Sequence, residues 1–332
     1  MKRTFNYLFF VMLITVFSCN KSNNVKVGYL IPNEKSERYV KEREFFKQKI
    51  TSMGGEALTA SADYDDQRQI EQAHEMITQG AKVLVVNAVN MNTAAAIVRD
   101  AHDNNVQVIA YDRLIQNSDL DYYISFDNVK VGKLMAEYVT KIKPEGNYVL
   151  IGGDKADLNA VLVKQGQMDV LSGLVKAGKI KIDYNVYVED WSGENAYQEM
   201  KRYLNLSKET PVAVLSSYDG MTAGCIKALD ESNLGGIVAT TGQDAELEAC
   251  RNIINDRQSM TVYKPLKLLA ERSAEIAFKM ATGEKIEVPS NTVNNGQKDV
   301  PSILLEPLMV NKNNMKSVII ADGFYTENQL FN

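Results

Sequence analysis

Histidine is nearly missing: His74 and His102 are the only two in 332 residues. Both fall in helical stretches among charged neighbours. Neither belongs to an HExxH pair or lies near a plausible serine or cysteine nucleophile, which removes the usual zinc-hydrolase and triad signatures. Cysteine is scarce too, with Cys19, Cys225 and Cys250 alone. Cys225 and Cys250 sit in apolar-periodic helical stretches where buried thiols are common, and no His or third Cys is near enough for a metal set. An exported chain could oxidise them, so a disulfide stays open. No GxxxxGK[ST] loop occurs, and Gly152-Gly153 follows a strand without forming GxGxxG. Asp63-Tyr64-Asp65 starts like a calcium loop but puts Arg68 and His74 where Gly and Glu are required. Basic charge is not in excess: 37 Lys and Arg face 42 Asp and Glu, for a net charge of −5. No basic cluster is interleaved with aromatics, so neither nucleic acid nor an anionic membrane is an expected partner. No motif calls for a cofactor.

What is present is the composition of a globular protein, 45% hydrophobic and 24% charged. The length suits two ordinary domains. Lys2 and Arg3 precede an apolar run at 8–17 that is too short for an ordinary membrane span, as in a signal peptide. Val16-Phe17-Ser18-Cys19 resembles a bacterial lipobox, which makes Cys19 the lipidated first residue of the mature protein and 20–24 a polar tether. No later run is long and apolar enough to span a bilayer.

From residue 25 strands and helices alternate. Strands are expected at 25–31, 56–62, 82–86 and 106–111, with helices at 37–53, from Asp65 or Asp66 to 79, and from Asn90 or Asn92 to 104. Strands every 25–30 residues, separated by helices, imply right-handed βαβ units and a parallel sheet. After 121–126 the pattern restarts, with helices at 129–142 and 159–177 and strands at 148–151, 181–188, 212–216, 237–241 and 259–263. A strong amphipathic helix covers 266–282. Residues 289–301 read as polar and irregular, and 303–310 as one late strand. The fold class is therefore α/β, with two doubly wound lobes.

In open parallel sheets ligands bind beyond the carboxyl ends of the strands. Here those ends carry polar side chains again and again: Arg38 and Tyr39 after the first strand, Asp112-Arg113 after the fourth, Asp157-Leu158-Asn159 after Gly152-Gly153. Trp191 lies in Glu189-Asp190-Trp191-Ser192-Gly193, Tyr218-Asp219 follows 212–216, Gln243-Asp244 follows 237–241, and Lys264 ends Thr261-Val262-Tyr263. Each has an ordinary explanation alone, as a helix cap, a core anchor or a solvated charge. Their recurrence at one edge of both lobes is explained by a polyhydroxylated ligand. Carboxylates accept from hydroxyls, Arg, Lys and Asn donate to them, and an indole stacks on a sugar's C–H face. Arg38, Arg113, Lys164 and Lys264 would balance Asp112, Asp157, Asp219 and Asp244, which suits a neutral sugar better than a uronate or sugar phosphate.

These residues bring out a resemblance. Ala110-Tyr111-Asp112-Arg113, Tyr123-Ile124-Ser125-Phe126-Asp127-Asn128, Gly242-Gln243-Asp244-Ala245, Thr261-Val262-Tyr263-Lys264-Pro265 and the run Asn294-Asn295-Gly296-Gln297-Lys298-Asp299-Val300-Pro301 resemble the periplasmic D-xylose-binding proteins of the ribose/galactose-type solute-binding family. The resemblance implies the periplasmic binding protein type 1 fold, with two lobes joined by a three-crossover hinge near 128–132, 262–265 and 292–297. By it, residues 1–24 are signal and tether, 25–130 plus 264–293 form the N-terminal lobe, and 131–263 plus 294–332 the C-terminal lobe. It also implies that Arg38, Asp112, Arg113, Asn159, Trp191, Asp244 and Lys264 contact sugar between the lobes, which close like a hinge.

Four departures bear on which sugar is held. Lys164 stands for an arginine, Tyr218 and Leu158 for asparagines, and Tyr39 for a tryptophan. The resulting expectation is a monomeric, lipid-anchored binding protein, periplasmic or on the cell surface. It captures xylose or a related aldose for an ABC importer, or else presents it to a sensor kinase or chemoreceptor. No matched acid–base pair points to an enzyme. The repressor core that shares this fold is at odds with the signal segment.

Overall fold

The computed structural model describes residues 24–286 and 289–331, so Cys19 and the signal segment lie outside the described residues. The chain begins with β1 (Lys26–Ile31), α1 (Glu37–Ser52), β2 (Glu56–Ser61), α2 (Asp66–Thr78), β3 (Val83–Val86), α3 (Ala95–Asp103), β4 (Gln107–Tyr111) and β5 (Tyr122–Phe126). It crosses into α4 (Asn128–Ile142), β6 (Gly146–Gly152), α5 (Leu158–Lys176), β7 (Ile180–Tyr187), α6 (Gly193–Leu206), β8 (Ala213–Ser216), α7 (Asp219–Glu231), β9 (Ala239–Thr241), α8 (Leu247–Ile254) and β10 (Thr261–Tyr263). The remainder is α9 (Leu266–Thr282), β11 (Thr292–Asn294), β12 (Asp299–Leu305), β13 (Leu308–Val310) and α10 (Glu327–Phe331).

The first sheet runs β11-β12-β5-β4-β3-β1-β2, and every neighbouring pair is parallel except the β11–β12 hairpin. Its central strands are near-continuous apolar runs because helices cover both faces. On one face α1 and α9 supply Phe46, Ile50, Leu269 and Ala277 against Tyr29, Val85 and Ile109. On the other, α2 and α3 supply Met76, Ile97 and Val98 against Leu30, Leu84 and Val108. The second sheet runs β7-β6-β8-β9, all parallel. It is packed by α4 and α5 on one face and by α6 and α7 on the other. The antiparallel β10–β13 pair extends it through a bridge between Gln243 and Val262. This is the α/β double-lobe architecture that the alternating pattern implied.

Four local readings are corrected. The third helix starts at Ala95 rather than at Asn90 or Asn92, because the Asn90 side chain folds a turn by accepting from the Asn92 N–H at 2.9 Å. The stretch 289–301 is not irregular: it holds β11 and the start of β12. Buried Asn295 pins this hairpin, donating to the Ile115 and Ser118 carbonyls at 3.1 and 2.8 Å. The late strand is two strands, parted at Glu306-Pro307, where proline offers no N–H to a ladder. The lobe boundary shifts with it. Ser302–Leu305 pair with β5, so residues 294–305 belong to the first lobe, and the third crossing lies between Leu305 and Leu308 instead of at 292–297. The other crossings fall at β5 to α4 and β10 to α9. Cys225 and Cys250 are free and buried, which closes the disulfide question.

Helices α4 and α5 approach each other through glycines. A Cβ at Gly132 would stand 1.9 Å from the Val163 carbonyl oxygen, and one at Gly166 2.0 Å from that of Val129. Both obstacles are helix backbone, which has no rotamer to yield. Gly132→Ala is expected to force the helices apart and lower stability by at least about 1–3 kcal/mol, the overpacking range. Denaturant titration checks this, and an unchanged midpoint would contradict the close crossing.

Candidate functional site

The strand ends of the two lobes face a shared cavity of about 250 Å³. That volume lies at the small end of ligand pockets, the scale of a monosaccharide rather than an oligosaccharide. Of the expected binding residues, Arg38, Tyr39, Asp112, Arg113, Asn159, Trp191, Tyr218, Asp244 and Lys264 line it.

From the first lobe, Arg38 projects from the opening turn of α1. Its guanidinium lies 2.9 Å from Glu42, 3.4 Å from Asp112 and 3.3 Å from Asp244 of the opposite lobe. Lys264, in the β10–α9 crossing, reaches the same Asp244 oxygen at 3.4 Å. These two cations hold the Asp244 carboxyl below the ordinary carboxylate range although burial opposes it. Arg113 forms the second cross-lobe pair, with Asp157 at 3.1 Å, and donates to the Tyr39 hydroxyl at 3.3 Å and the Ala88 carbonyl at 3.2 Å.

Asp112 has a left-handed backbone, φ 63°. Its carbonyl accepts from Ser125 at 2.8 Å, from Tyr123 at 3.1 Å and from Asn159 of the other lobe at 3.3 Å. Among the described residues its Oδ1 is buried without a hydrogen-bond partner, as are Gln243 Oε1 and Trp191 Nε1. Such atoms cost free energy unless something bonds them, so they are acceptors and a donor poised for a polar ligand. The Trp191 indole packs flat on the end of β6, where a Cβ at Gly153 would come within 2.3 Å of the ring. That contact explains the glycine. Tyr218 stands edge-on to it, with centroids 6.4 Å apart and planes at 88°.

Lys164 does not line the cavity. Its ammonium donates to Asn185 Oδ1 at 2.6 Å and the Val186 carbonyl at 3.0 Å, beneath the Tyr187 ring at 3.7 Å. Burial pulls it down to about 8. Asp219 is likewise not a cavity anion: it accepts from Gln258, Thr261 and the Glu246 N–H. Leu158 packs onto the first lobe's core instead of facing the cavity. Sequence reasoning passed over three lining residues, Asn33, Lys35 and Tyr64. Asn33 lies just past β1, and its Oδ1 accepts from the Lys35 and Ser36 N–H groups, an Asx turn that strand-end logic can find. Tyr64 arrives from the loop after β2 in a left-handed conformation that carries no sequence signal. Lys35, Arg38, Arg113 and Lys264 thus face Asp112, Asp157, Asp190 and Asp244, and the lining remains balanced in charge.

A cleft with polar walls and an aromatic face, bridged by ion pairs between two lobes, defines a ligand-capturing protein of the hinge type. Residues 27–285 match the periplasmic binding protein domain, and the chain belongs to that family. It is 43% identical to the D-xylose-binding periplasmic protein of Haemophilus influenzae over 96% of both chains. It is 42% identical to that of Escherichia coli over 93% of both. An ABC transporter solute-binding protein of Clostridium phytofermentans with bound β-D-glucose superposes with a TM-score of 0.86 at 30% identity, covering 92% of this chain and 99% of the other.

Glu42, under Arg38, gives a pH signature. Full burial pushes its carboxyl up to about 7 against the opposing pull of Arg38. Between the ordinary carboxylate range and that value the folded chain holds a proton that the unfolded chain has released. This contribution is therefore fully present at low pH and is lost as pH rises toward about 7. Glu42→Gln removes it, so thermal midpoints of the variant should fall less than wild type's between about pH 5 and 7. Equal slopes would show that Glu42 is already ionised in the fold.

Proposed function

We propose that this protein captures a neutral aldose of the xylose type between its lobes and delivers it to an ABC importer, acting as a monomer. The observation that carries the reading is the cavity itself. It is monosaccharide-sized, balanced in charge, floored by Trp191, and assembled from both lobes, so that closing and binding are one event. The xylose-binding relatives and the glucose-bound neighbour support the same class of ligand, and the family supports transport rather than catalysis. The site residues proposed are the nine expected ones that line the cavity, with Asp157, which also lines it, added. With Lys164 outside the lining, the weight of selectivity moves to Tyr218.

Differential scanning with a panel of free sugars tests this. D-Xylose or a related aldose should raise the melting midpoint, and glucuronate should not; a panel with no shift, or one led by uronates, would sink the proposal. In a folded protein Asp112→Ala should cost about 1.5–3 kcal/mol of sugar binding, the range for hydrogen bonds to charged groups. At about 1.4 kcal/mol per decade that is roughly 10- to 150-fold in affinity, readable by calorimetry.

The proposed location is periplasmic or cell-surface, with Cys19 carrying a lipid. Cys19→Ala should then leave sugar binding intact and move the protein from the membrane fraction to the soluble one. Retention in a detergent-sensitive membrane fraction would count against the anchor.

A further inference from the structure

A second hollow of about 300 Å³ adjoins the sugar cavity. The two share Lys35, Ser36, Arg38, Tyr218 and Asp244, so these residues stand between them. Beyond them the second hollow is lined by Lys41, Glu246, Leu247, Phe324 and Tyr325 among others, and Lys41 sits over the two aromatic rings at 4.4 and 4.5 Å. The Lys41 ammonium and the carboxylates of Glu37, Glu246 and Glu248, which also line it, are polar partners a second sugar ring could use.

Tyr218 spans the boundary. Its ring meets Trp191, which lines only the sugar cavity, while its hydroxyl donates to Glu246, which lines only the second hollow. The ring is held in place from two further sides. A Cβ at Gly220 would come within 2.7 Å of it, so the glycine makes its seat. Asp219, the next residue, accepts the backbone N–H of Glu246 at 3.0 Å, so adjacent residues hold both ends of the ring's anchor. The rest of the boundary is the Arg38–Asp244 ion pair, whose members also line both sides.

We propose that Tyr218 is a specificity-determining partition that confines the site to one free sugar ring, with Glu246 as its positioning residue. The inference rests on the sugar-binding reading and adds a size limit to it. Without the phenol ring, the two hollows join on that side, and a glycosidically linked second ring has a place to go.

Calorimetry with D-xylose, its two methyl xylosides and xylobiose tests this on wild type, Tyr218→Ala and Tyr218→Phe. Wild type should bind the free sugar at least tenfold tighter than xylobiose. Tyr218→Ala should narrow or reverse that ratio by tenfold or more, and Tyr218→Phe, which keeps the ring but loses the bond to Glu246, should narrow it no further than Glu246→Ala does. If the alanine variant does not fold, Tyr218→Ser gives the same comparison. Glu246→Ala should relax the ratio part of the way, an effect on ranking that general destabilisation would not produce. The proposal is overturned if wild type binds xylobiose as tightly as xylose, or if a folded ring-less variant binds xylose and still rejects every glycoside. If wild type binds no free monosaccharide, the sugar reading itself fails and the partition falls with it.

Discussion

The structure turns on charge pairing across the cleft. Arg38 with Asp244, and Arg113 with Asp157, join side chains from opposite lobes in a largely buried setting. Substituting one partner away would strand the other, and an unpaired buried charge costs several kcal/mol. The lobes are therefore held together by groups that need a polar partner of some kind, and a sugar's hydroxyls can supply one. The cavity lining has no net charge to offer a charged ligand, which fits the neutral sugar proposed above.

The polypeptide accepts local strain to present these groups. Asp112, Asp190, Trp191, Asp244 and Ala245 all have positive φ, a costly conformation for non-glycine residues that persists where surrounding contacts enforce it. The contacts are visible. Three side chains converge on the Asp112 carbonyl, Asp154 takes the Asp190 N–H at 2.8 Å, and the Asp244 N–H is bound by the Val262 carbonyl at 2.9 Å. These residues cluster at or beside the cavity, while the sheets behind it keep their register apart from one shift between Tyr148 and Val149 in the β6–β7 pair.

Much of this was legible in the residues. Buried parallel strands announce themselves as short apolar runs, and in such a sheet everything polar just past those runs faces one edge; Arg38, Asp112, Arg113 and Asp244 follow from that rule alone. Their pairing across the lobes does not, since it depends on how the two sheets face each other. Lys164 was misplaced because a one-dimensional match fixes a helix position but not which way a flexible ammonium turns, and here the Val186 carbonyl and Asn185 claim it. The β11–β12 hairpin was hidden because an edge strand with exposed Thr292 and Asn294 has no apolar periodicity to read. The two-lobe boundary failed for the same reason: Pro307 looks like a minor interruption until β12 is seen paired with β5.

That pairing has a mechanical consequence. The Asp127 N–H binds the Leu305 carbonyl at 3.0 Å, which keeps the first and third crossings side by side, and the β10–β13 ladder does the same for the second and third. A single tether would let one lobe swivel, twist and tilt freely. Three adjacent tethers suppress swivel and twist and leave one soft coordinate, the angle between the lobes. Opening and closing of the cavity is then described by a single geometric variable, and Lys264, which sits in one of the tethers with its ammonium on Asp244, places a cavity-lining charge directly on that axis.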